Sequence, residues 1–557
     1  MIVFSNLLKV QTMSPHIKLF TSLHSHRKTI LSLLALCLPI TLLYGQFLWN
    51  PIVFDDKTFF QTLIHNEYTG KIFSLNLRWL PYATFMWTFS ALGADVIWSR
   101  LGNLALHLAT AVTLFLFLRR LFELVLTDNN QNKNNLSPHW LAFFAALIFA
   151  LHPVSVYAVA YLIQRTTLMA TLFTLFTWRF FLEGLIRENR LWLIASATAY
   201  LFAVLSKEHA IMAPAVTIIL LFLINKQSLT QSIKLAWPAF ILYGMIGAFV
   251  VFQVKASHIL GQSYEPMAST VTSNLGNGFD ASQIYPLSII TQSFLFFKYI
   301  WLWIIPSPAS MSVDMYQDFA LRLWSWPQTL GFIAFIIYPV FAIYLLLQRG
   351  VKGLLGFALL CPWLLFATEL STVRIQESFV LYRSYLWMAG AFAALPFICQ
   401  KLSPKQSIWV LLTAAFIMLP ASYLKLETFS HGLLLWDDAA RLVESNQEYR
   451  SGMERIFYNR GNQYKRLKMY PEAISDYTKA IKLGGESCYV VGYAYGNRGA
   501  AYLESHQYAQ ALSDFDKAIN HKPKIFKVQL DLALAGRALA IQKINEKTAT
   551  AKTTGEQ

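Results

Sequence analysis

Long apolar runs separated by short polar gaps dominate the first three quarters of the chain. A helix needs about 20 mostly apolar residues to cross the hydrocarbon core of a bilayer. Twelve runs approach that length: 29–49, 98–118, 140–155, 165–182, 191–205, 208–224, 234–253, 284–305, 327–347, 353–370, 380–399 and 406–424. This pattern predicts an all-α, polytopic membrane helix bundle over residues 29–424. A leader at 1–28 precedes it, in which translation could start at Met1 or Met13.

The basic residues between the runs predict which side of the membrane each gap faces. Cytoplasmic gaps carry an excess of Lys and Arg. If all twelve runs crossed, the basic gaps at 349–352 and 401–405 would fall outside. The run 284–305 carries Lys298 at its middle and ends in a Pro-rich turn, as re-entrant or interfacial helices do. We therefore predict about eleven spans plus this non-crossing helix, with a cytoplasmic N-terminus and an external domain at 425–557. Twelve spans with a cytoplasmic tail are the alternative.

Composition agrees with a membrane protein and excludes two broad classes. Hydrophobic residues make up 55% of the 557 residues and charged residues only 14%, whereas soluble proteins carry about 25% charged residues. This balance excludes a long soluble enzyme and a disordered chain. The net charge of +16 is spread over the gaps, so membrane orientation explains it better than a nucleic-acid partner. The four cysteines have neither the spacing of a disulfide framework nor that of a metal site.

The C-terminal region contains an internal repeat. The segment 458–464 recurs at 496–502, and 470–481 recurs at 508–519, each with an offset of 38 residues. The pattern resembles tetratricopeptide (TPR) repeats, with units at about 455–488 and 493–525. Helices at 430–450 and 525–545 are expected to cap them. Such repeats usually dock a peptide or protein, and a purely structural cap on the membrane domain is the alternative.

The first external segment, 50–97, is long and mixed, so we expect it to fold against the bundle. It opens with the adjacent acids Asp55 and Asp56. A carboxylate there could accept the proton of an attacking hydroxyl, as a general base does. Solvated interface charges are the alternative interpretation.

Several charges fall on the same predicted side as this acidic pair. Arg165 lies at the outer end of the fourth span, Lys207 and Glu208 form a tight turn, and Arg383 lies near the outer end of a later span. Charges at the membrane edge are costly and often functional, and arginines bind phosphate through paired hydrogen bonds. Snorkelling of single side chains towards the headgroups is the alternative.

Taken in order, the motifs resemble the transmembrane-and-TPR O-mannosyltransferase family in its bacterial form. The resemblance covers roughly 50–530 and implies a GT-C glycosyltransferase, which takes a sugar from a polyprenyl-phosphate donor on the non-cytoplasmic face. The matching segments are Phe54-Asp55-Asp56, Arg78-Trp79-Leu80-Pro81, Asn103 to His107, Ala150-Leu151-His152-Pro153, Gln164-Arg165-Thr166-Thr167, Leu205-Ser206-Lys207-Glu208-His209-Ala210, Tyr382-Arg383-Ser384-Tyr385-Leu386 and Leu435-Trp436-Asp437-Asp438-Ala439.

The resemblance also implies roles for single residues. Asp55 and Asp56 correspond to the catalytic acids of the first external loop. The positions expected to line the donor phosphate or substrate region are Arg78, Arg165, Lys207, Glu208 and Arg383. This chain has Thr166-Thr167 where the family often has Ala-Asp, which leaves metal and donor details open. No metal site is predicted, although a divalent cation at the acidic pair stays an alternative.

The expected function is therefore sugar transfer from a lipid-linked donor to a hydroxyl of an exported protein, in a bacterial inner membrane. A pilin or another envelope protein is the expected acceptor, docked by an external TPR domain. The alternatives are an enzyme of the same fold that modifies a lipid or polysaccharide, and a non-catalytic TPR scaffold.

Overall fold

The protein consists of helices and connecting loops throughout the residues that the structure describes. In the computed structural model these residues are 15–60, 74–126, 135–224, 229–263, 265, 268, 272, 281–445, 452–485, 488–522 and 525–555. No strand occurs among them, which agrees with the all-α prediction. Part of the predicted first external loop, 61–73, lies outside the described residues.

The helices follow the apolar runs closely. In chain order they are α1 (Pro15–Gly45), α2 (Trp79–Leu92), α3 (Val96–Leu126), α4 (Pro138–Leu151), α5 (Pro153–Val159), α6 (Arg165–Ile186), α7 (Arg190–Ser206), α8 (Ala213–Ile224), α9 (Leu229–Ala256), α10 (Ile284–Ile304), α11 (Gln328–Leu347), α12 (Gly350–Phe366), α13 (Ser384–Ala391), α14 (Leu395–Cys399), α15 (Pro404–Thr428), α16 (Gly432–Ser445), α17 (Glu454–Arg466), α18 (Tyr470–Gly484), α19 (Tyr489–Glu504), α20 (Tyr508–Asn520) and α21 (Lys527–Gly555).

Within the described residues, eight helices are long and apolar enough to cross a membrane. A ninth candidate is the pair α4–α5, which bends by 62° at His152-Pro153. Proline at a helix start lacks the N–H that would continue the preceding helix. Two shorter apolar helices, Arg190–Ser206 and Glu208–Ile224, match predicted runs. The run 380–399 differs from the prediction of one helix, because it is divided into α13, a 3-10 turn at Phe392–Ala394 and α14.

The basic gaps gather at one end of the bundle, which we call the basic end. Arg119 on α3 donates to Thr29 Oγ1 on α1 at 2.9 Å. Glu183, near the end of α6, is bound by Arg120 Nε at 3.2 Å and Arg187 Nε at 2.6 Å. The opposite end of these helices carries Asp55, and we call it the Asp55 end.

Helix α10 begins and ends at the Asp55 end. Near its start, Tyr285 donates its hydroxyl to Leu370 O at 3.0 Å, just after α12 ends. Near its finish, Trp303 Nε1 donates to Ser384 Oγ at 3.3 Å, and Trp303 O lies 3.1 Å from His152 Nε2. Length and composition would allow this helix to cross a membrane. Its contacts instead favour the predicted re-entrant or interfacial helix, because Leu370, Ser384 and His152 all lie at the same end of the bundle.

The C-terminal domain repeats one ion pair at the predicted offset. Arg460 Nε donates to Asp476 Oδ2 at 2.7 Å between α17 and α18, and Arg498 Nε donates to Asp514 Oδ2 at 2.7 Å between α19 and α20. Gly461 sits against the Tyr477 ring, where a Cβ would approach to 2.9 Å. Helices α16 and α21 flank the two hairpins, as expected of the caps.

This domain packs on the Asp55 end. The Phe54 and Trp436 rings lie 5.3 Å apart in a T-shaped contact. Arg455 Nε lies 2.6 Å from Asp314 Oδ2, and Lys425 Nζ lies 2.7 Å from Asp438 Oδ1. The repeats and the acidic pair therefore share one end of the molecule.

Candidate active site

Asp55 is an exposed residue in the loop that follows α1. Tyr161, between α5 and α6, donates its hydroxyl to Asp55 Oδ2 at 2.9 Å. Desolvation by the surrounding protein raises the pKa of Asp55, and the Tyr161 hydrogen bond opposes that rise. An accessible carboxylate with a raised pKa is suited to accept a proton.

Asp56 has a different environment, although it is the next residue. Its side chain is fully buried, and it accepts the N–H groups of Leu162 and Ile163 at 2.9 and 2.8 Å. Burial raises the pKa of Asp56 to about 7, and the two backbone hydrogen bonds act in the opposite direction. Asp56 thus anchors the loop to the turn before α6, while Asp55 faces solvent.

Arg100 holds the same loop from the start of α3. Its guanidinium donates to Asn50 O at 2.8 Å, Pro51 O at 2.6 Å and Ala160 O at 3.2 Å. Sequence reasoning missed this residue. The available signal was an arginine placed inside an otherwise apolar run.

Arg165 does not fit the predicted role in phosphate binding. It is 2% exposed, and its guanidinium donates to Asn103 Oδ1 at 2.8 Å, Thr84 Oγ1 at 3.1 Å and Ser99 O at 2.7 Å. The guanidinium carbon also lies 3.6 Å from the centre of the Phe85 ring. A phosphate could reach it only by breaking these contacts, so the geometry favours a packing role that joins α6 to α2 and α3.

The remaining predicted cations and Glu208 do converge. Arg78 forms an ion pair with Glu208, with Arg78 Nε 2.9 Å from Glu208 Oε2. Lys207 Nζ donates to Thr167 Oγ1 at 2.8 Å and lies 5.1 Å from the centre of the Tyr382 ring. Burial lowers the pKa of Lys207 to about 7, so its charge depends on what lies beside it.

Tyr382 connects this group to Asp55. Its ring centre lies 6.0 Å from that of Tyr161, the residue that donates to Asp55. The neighbouring Arg383 donates to Glu369 Oε2 at 3.1 Å and to Glu377 O at 3.1 Å. Asp55, Lys207 and Arg383 therefore belong to one continuous cluster.

Sequence reasoning missed the acids and cations that complete this cluster. Glu369 is 1% exposed and lies 3.0 Å from His209 Nε2 and 3.4 Å from Arg374 Nε. His209 also lies 3.3 Å from Glu208 through Nδ1. These residues come from the ends of helices more than 150 positions apart, and no local spacing links them.

A cavity of about 380 Å³ opens beside the cluster. Its polar wall contains Arg78, Glu208 and Arg374. Its apolar wall is formed mainly by the end of α9, the 3-10 turn just before α8 and residues 259–260. The apolar side chains are Ile211, Met212, Val250, Val251, Val254, Ile259 and Leu260. The cavity thus combines charge at one wall with an extended apolar surface at the other.

Among the described residues, no set of three or more His, Cys, Asp or Glu side chains is placed to hold a metal ion. The side chains of Asp55 and Asp56 have different surroundings, one in solvent and the other on backbone N–H groups.

Comparison with known proteins bears on the C-terminal domain. Residues 454–484, which form α17 and α18, match the model of the tetratricopeptide repeat. This domain carries a TPR repeat. The match covers the first predicted unit, and α19 and α20 reproduce its ion pair and close glycine contact in the second. No curated protein matches the chain.

Proposed function

We propose that the protein is a GT-C-type membrane glycosyltransferase that moves a sugar from a polyprenyl-phosphate-type donor to a hydroxyl of an exported protein. The observation that carries this proposal is the shared position of an exposed carboxylate, a cationic cluster and an amphiphilic cavity at one end of the bundle. A lipid-phosphate donor needs a charged and an apolar surface side by side. The cavity beside Arg78 and Arg374 offers both.

The donor phosphate is assigned to the Arg78 wall of the cavity. The side chain of Arg78 is 40% exposed despite its ion pair with Glu208, so a phosphate oxygen can approach it from solvent. The prenyl chain would follow the valines of α9, of which Val251 is 48% exposed. Arg165 has no part in this assignment.

Asp55 acts as the general base in the proposed transfer. It takes the proton of the acceptor hydroxyl while that oxygen forms a bond to the anomeric carbon of the sugar. The bond from that carbon to the phosphate oxygen breaks, and the polyprenyl phosphate leaves with the electron pair. Arg78 and Lys207 stabilise the negative charge that develops on it, as preorganised cations do. One displacement inverts the configuration at the anomeric carbon.

The TPR domain is proposed to dock the acceptor protein. Its contacts through Trp436 and Arg455 hold it on the end that carries Asp55. With the basic end in the cytoplasm, as the positive-inside rule requires, this end faces the exported acceptor. A bacterial inner membrane is the corresponding location.

Mass spectrometry of envelope proteins tests this function. Deleting the gene should remove a glycan mass from at least one envelope protein and leave lipid-linked sugar unused. The wild-type gene should restore both. Identical glycan masses in the deletion and wild-type strains would contradict the proposal and favour the scaffold.

A further inference from the structure

A second groove lies at the basic end, on the lateral surface between α1 and α4. It has a volume of about 440 Å³ and is lined by Arg27, Lys28, Leu31, Ser32, Ala35 and Trp140. None of these residues belongs to the candidate active site. The groove is held together by a contact between Ser32 Oγ and His139 Nε2 at 2.9 Å.

The part of the groove beside Arg27 and Lys28 is cationic. Arg27 and Lys28 are both exposed, and Lys28 Nζ lies 5.6 Å from the centre of the Trp140 ring. Arg119, on the neighbouring helix α3, donates to Thr29 nearby, but its charge is offset by Glu123, whose Oε1 lies 3.6 Å from Arg119 Nε, so Arg27 and Lys28 supply the positive charge of the groove. The described lining contains no acidic side chain. The groove therefore attracts an anion.

Further along α1, the groove is apolar and opens to the side of the helix bundle. Leu31 is 56% exposed, and Leu34 and Leu38 are 62% and 61% exposed on the same helix. Ala35 lies among them, is exposed itself and is short, so it leaves room between larger side chains. An apolar chain that enters from the side can lie along this surface.

We propose that this groove binds an anionic phospholipid. The phosphodiester lies against Arg27 and Lys28, and one acyl chain runs past Ala35 towards Leu38. Basic pockets between membrane helices on the cytoplasmic side are known to bind acidic lipid headgroups. The apolar surface next to the cations favours a lipid over a free phosphate, because a free phosphate would contact the cations alone. The proposal does not depend on the proposed glycosyltransferase activity.

Native mass spectrometry of the full-length protein in detergent tests this site. The probes are phosphatidylglycerol, phosphatidylcholine with the same acyl chains, and inorganic phosphate. The wild type should retain phosphatidylglycerol over phosphatidylcholine, and excess inorganic phosphate should not displace it. The double variant Arg27→Gln/Lys28→Gln should bind phosphatidylglycerol roughly tenfold more weakly, since each cation near an anionic headgroup contributes measurably.

Two further variants separate the groove from general surface charge. Lys401→Gln/Lys405→Gln removes two exposed cations at the same end but outside the groove, and should bind as the wild type does. Ala35→Phe fills the apolar part and keeps both cations, and should also weaken binding. Equal losses in both double variants, wild-type binding in Ala35→Phe, or displacement by inorganic phosphate would each overturn the proposal.

Discussion

The two adjacent acids show how far neighbouring residues can differ in environment. Asp55 is exposed and accepts a hydroxyl hydrogen bond, whereas Asp56 is buried on two backbone N–H groups. Spacing could not distinguish them, because the N–H groups that bind Asp56 come from residues more than 100 positions away. The geometry favours Asp55 over Asp56 as the proposed base, and it places Asp56 as an anchor of the loop.

The Tyr161→Phe variant tests the environment of Asp55. The Tyr161 hydrogen bond lowers the pKa of Asp55, so its loss should raise that pKa further. A base works only when deprotonated, and the acid limb of the pH–activity profile should therefore move to higher pH. The control is Tyr423→Phe, whose ring packs on Phe47 with the centroids 5.4 Å apart, and it should leave the profile unchanged. A profile that stays in place in Tyr161→Phe would show that this carboxylate is not the titrating base.

At the scale of elements, the apolar pattern predicted the helices well and their breaks poorly. Most runs became single helices, but 380–399 divided into α13 and α14. Close packing constrains this region, since a Cβ at Gly390 would clash with Cys361 Sγ. Such a contact depends on a neighbouring helix, so hydropathy along one segment does not reveal it.

The packing contacts of Arg165 give a second prediction, which belongs to this scale. In Arg165→Lys, the ammonium group cannot reproduce the hydrogen bonds that the guanidinium makes to three partners. Gly102→Ala would place a Cβ 2.7 Å from Arg165 Nη2. Each variant should lower the free energy of unfolding of the detergent-solubilised protein by about 1–3 kcal/mol. Activity per folded molecule should persist. The exposed Arg441→Lys serves as control. Unchanged stability with lost donor binding would restore the phosphate role predicted from the sequence.

The predicted re-entrant or interfacial position of α10 gives a third prediction. Single cysteines at Ser282 and Ser307, in a cysteine-free background, should both react with a membrane-impermeant maleimide from the side that labels Asp95→Cys. A cysteine at Lys401 should react only after permeabilisation. Labelling of Ser282 and Ser307 from opposite sides would mean that α10 crosses the membrane.

At the scale of the whole molecule, the sequence predicted which residues share an end better than how they pair. The basic gaps gather at one end, and Asp55, Lys207, Glu208 and Arg383 gather at the other. Glu369, Arg374 and Glu377 were missed, because their contacts form only when helix ends that are distant in sequence come together. The TPR repeats were predictable from their 38-residue offset, and residues 454–484 match the family model.

The position of the TPR domain predicts its side of the membrane. Since it packs on the end opposite the basic gaps, alkaline phosphatase fused after Gln557 should be active. The matched fusion after Lys405 should be inactive, because that gap lies at the basic end. An inactive but stably expressed fusion after Gln557 would contradict the eleven-span arrangement.

The most direct test of the central claim compares carboxylates in the first external loop. A deletion strain is complemented with Asp55→Asn or with Asp95→Asn, and membrane expression is verified for each. Asp95 accepts the N–H of Ile97 at the start of α3, a contact that Asn can keep, so Asp95→Asn should restore glycosylation of envelope proteins. Asp55→Asn keeps the size but cannot take the proton, so transfer should fall by about 10²–10⁴-fold. Wild-type glycosylation by Asp55→Asn would contradict the assignment of Asp55 as the base.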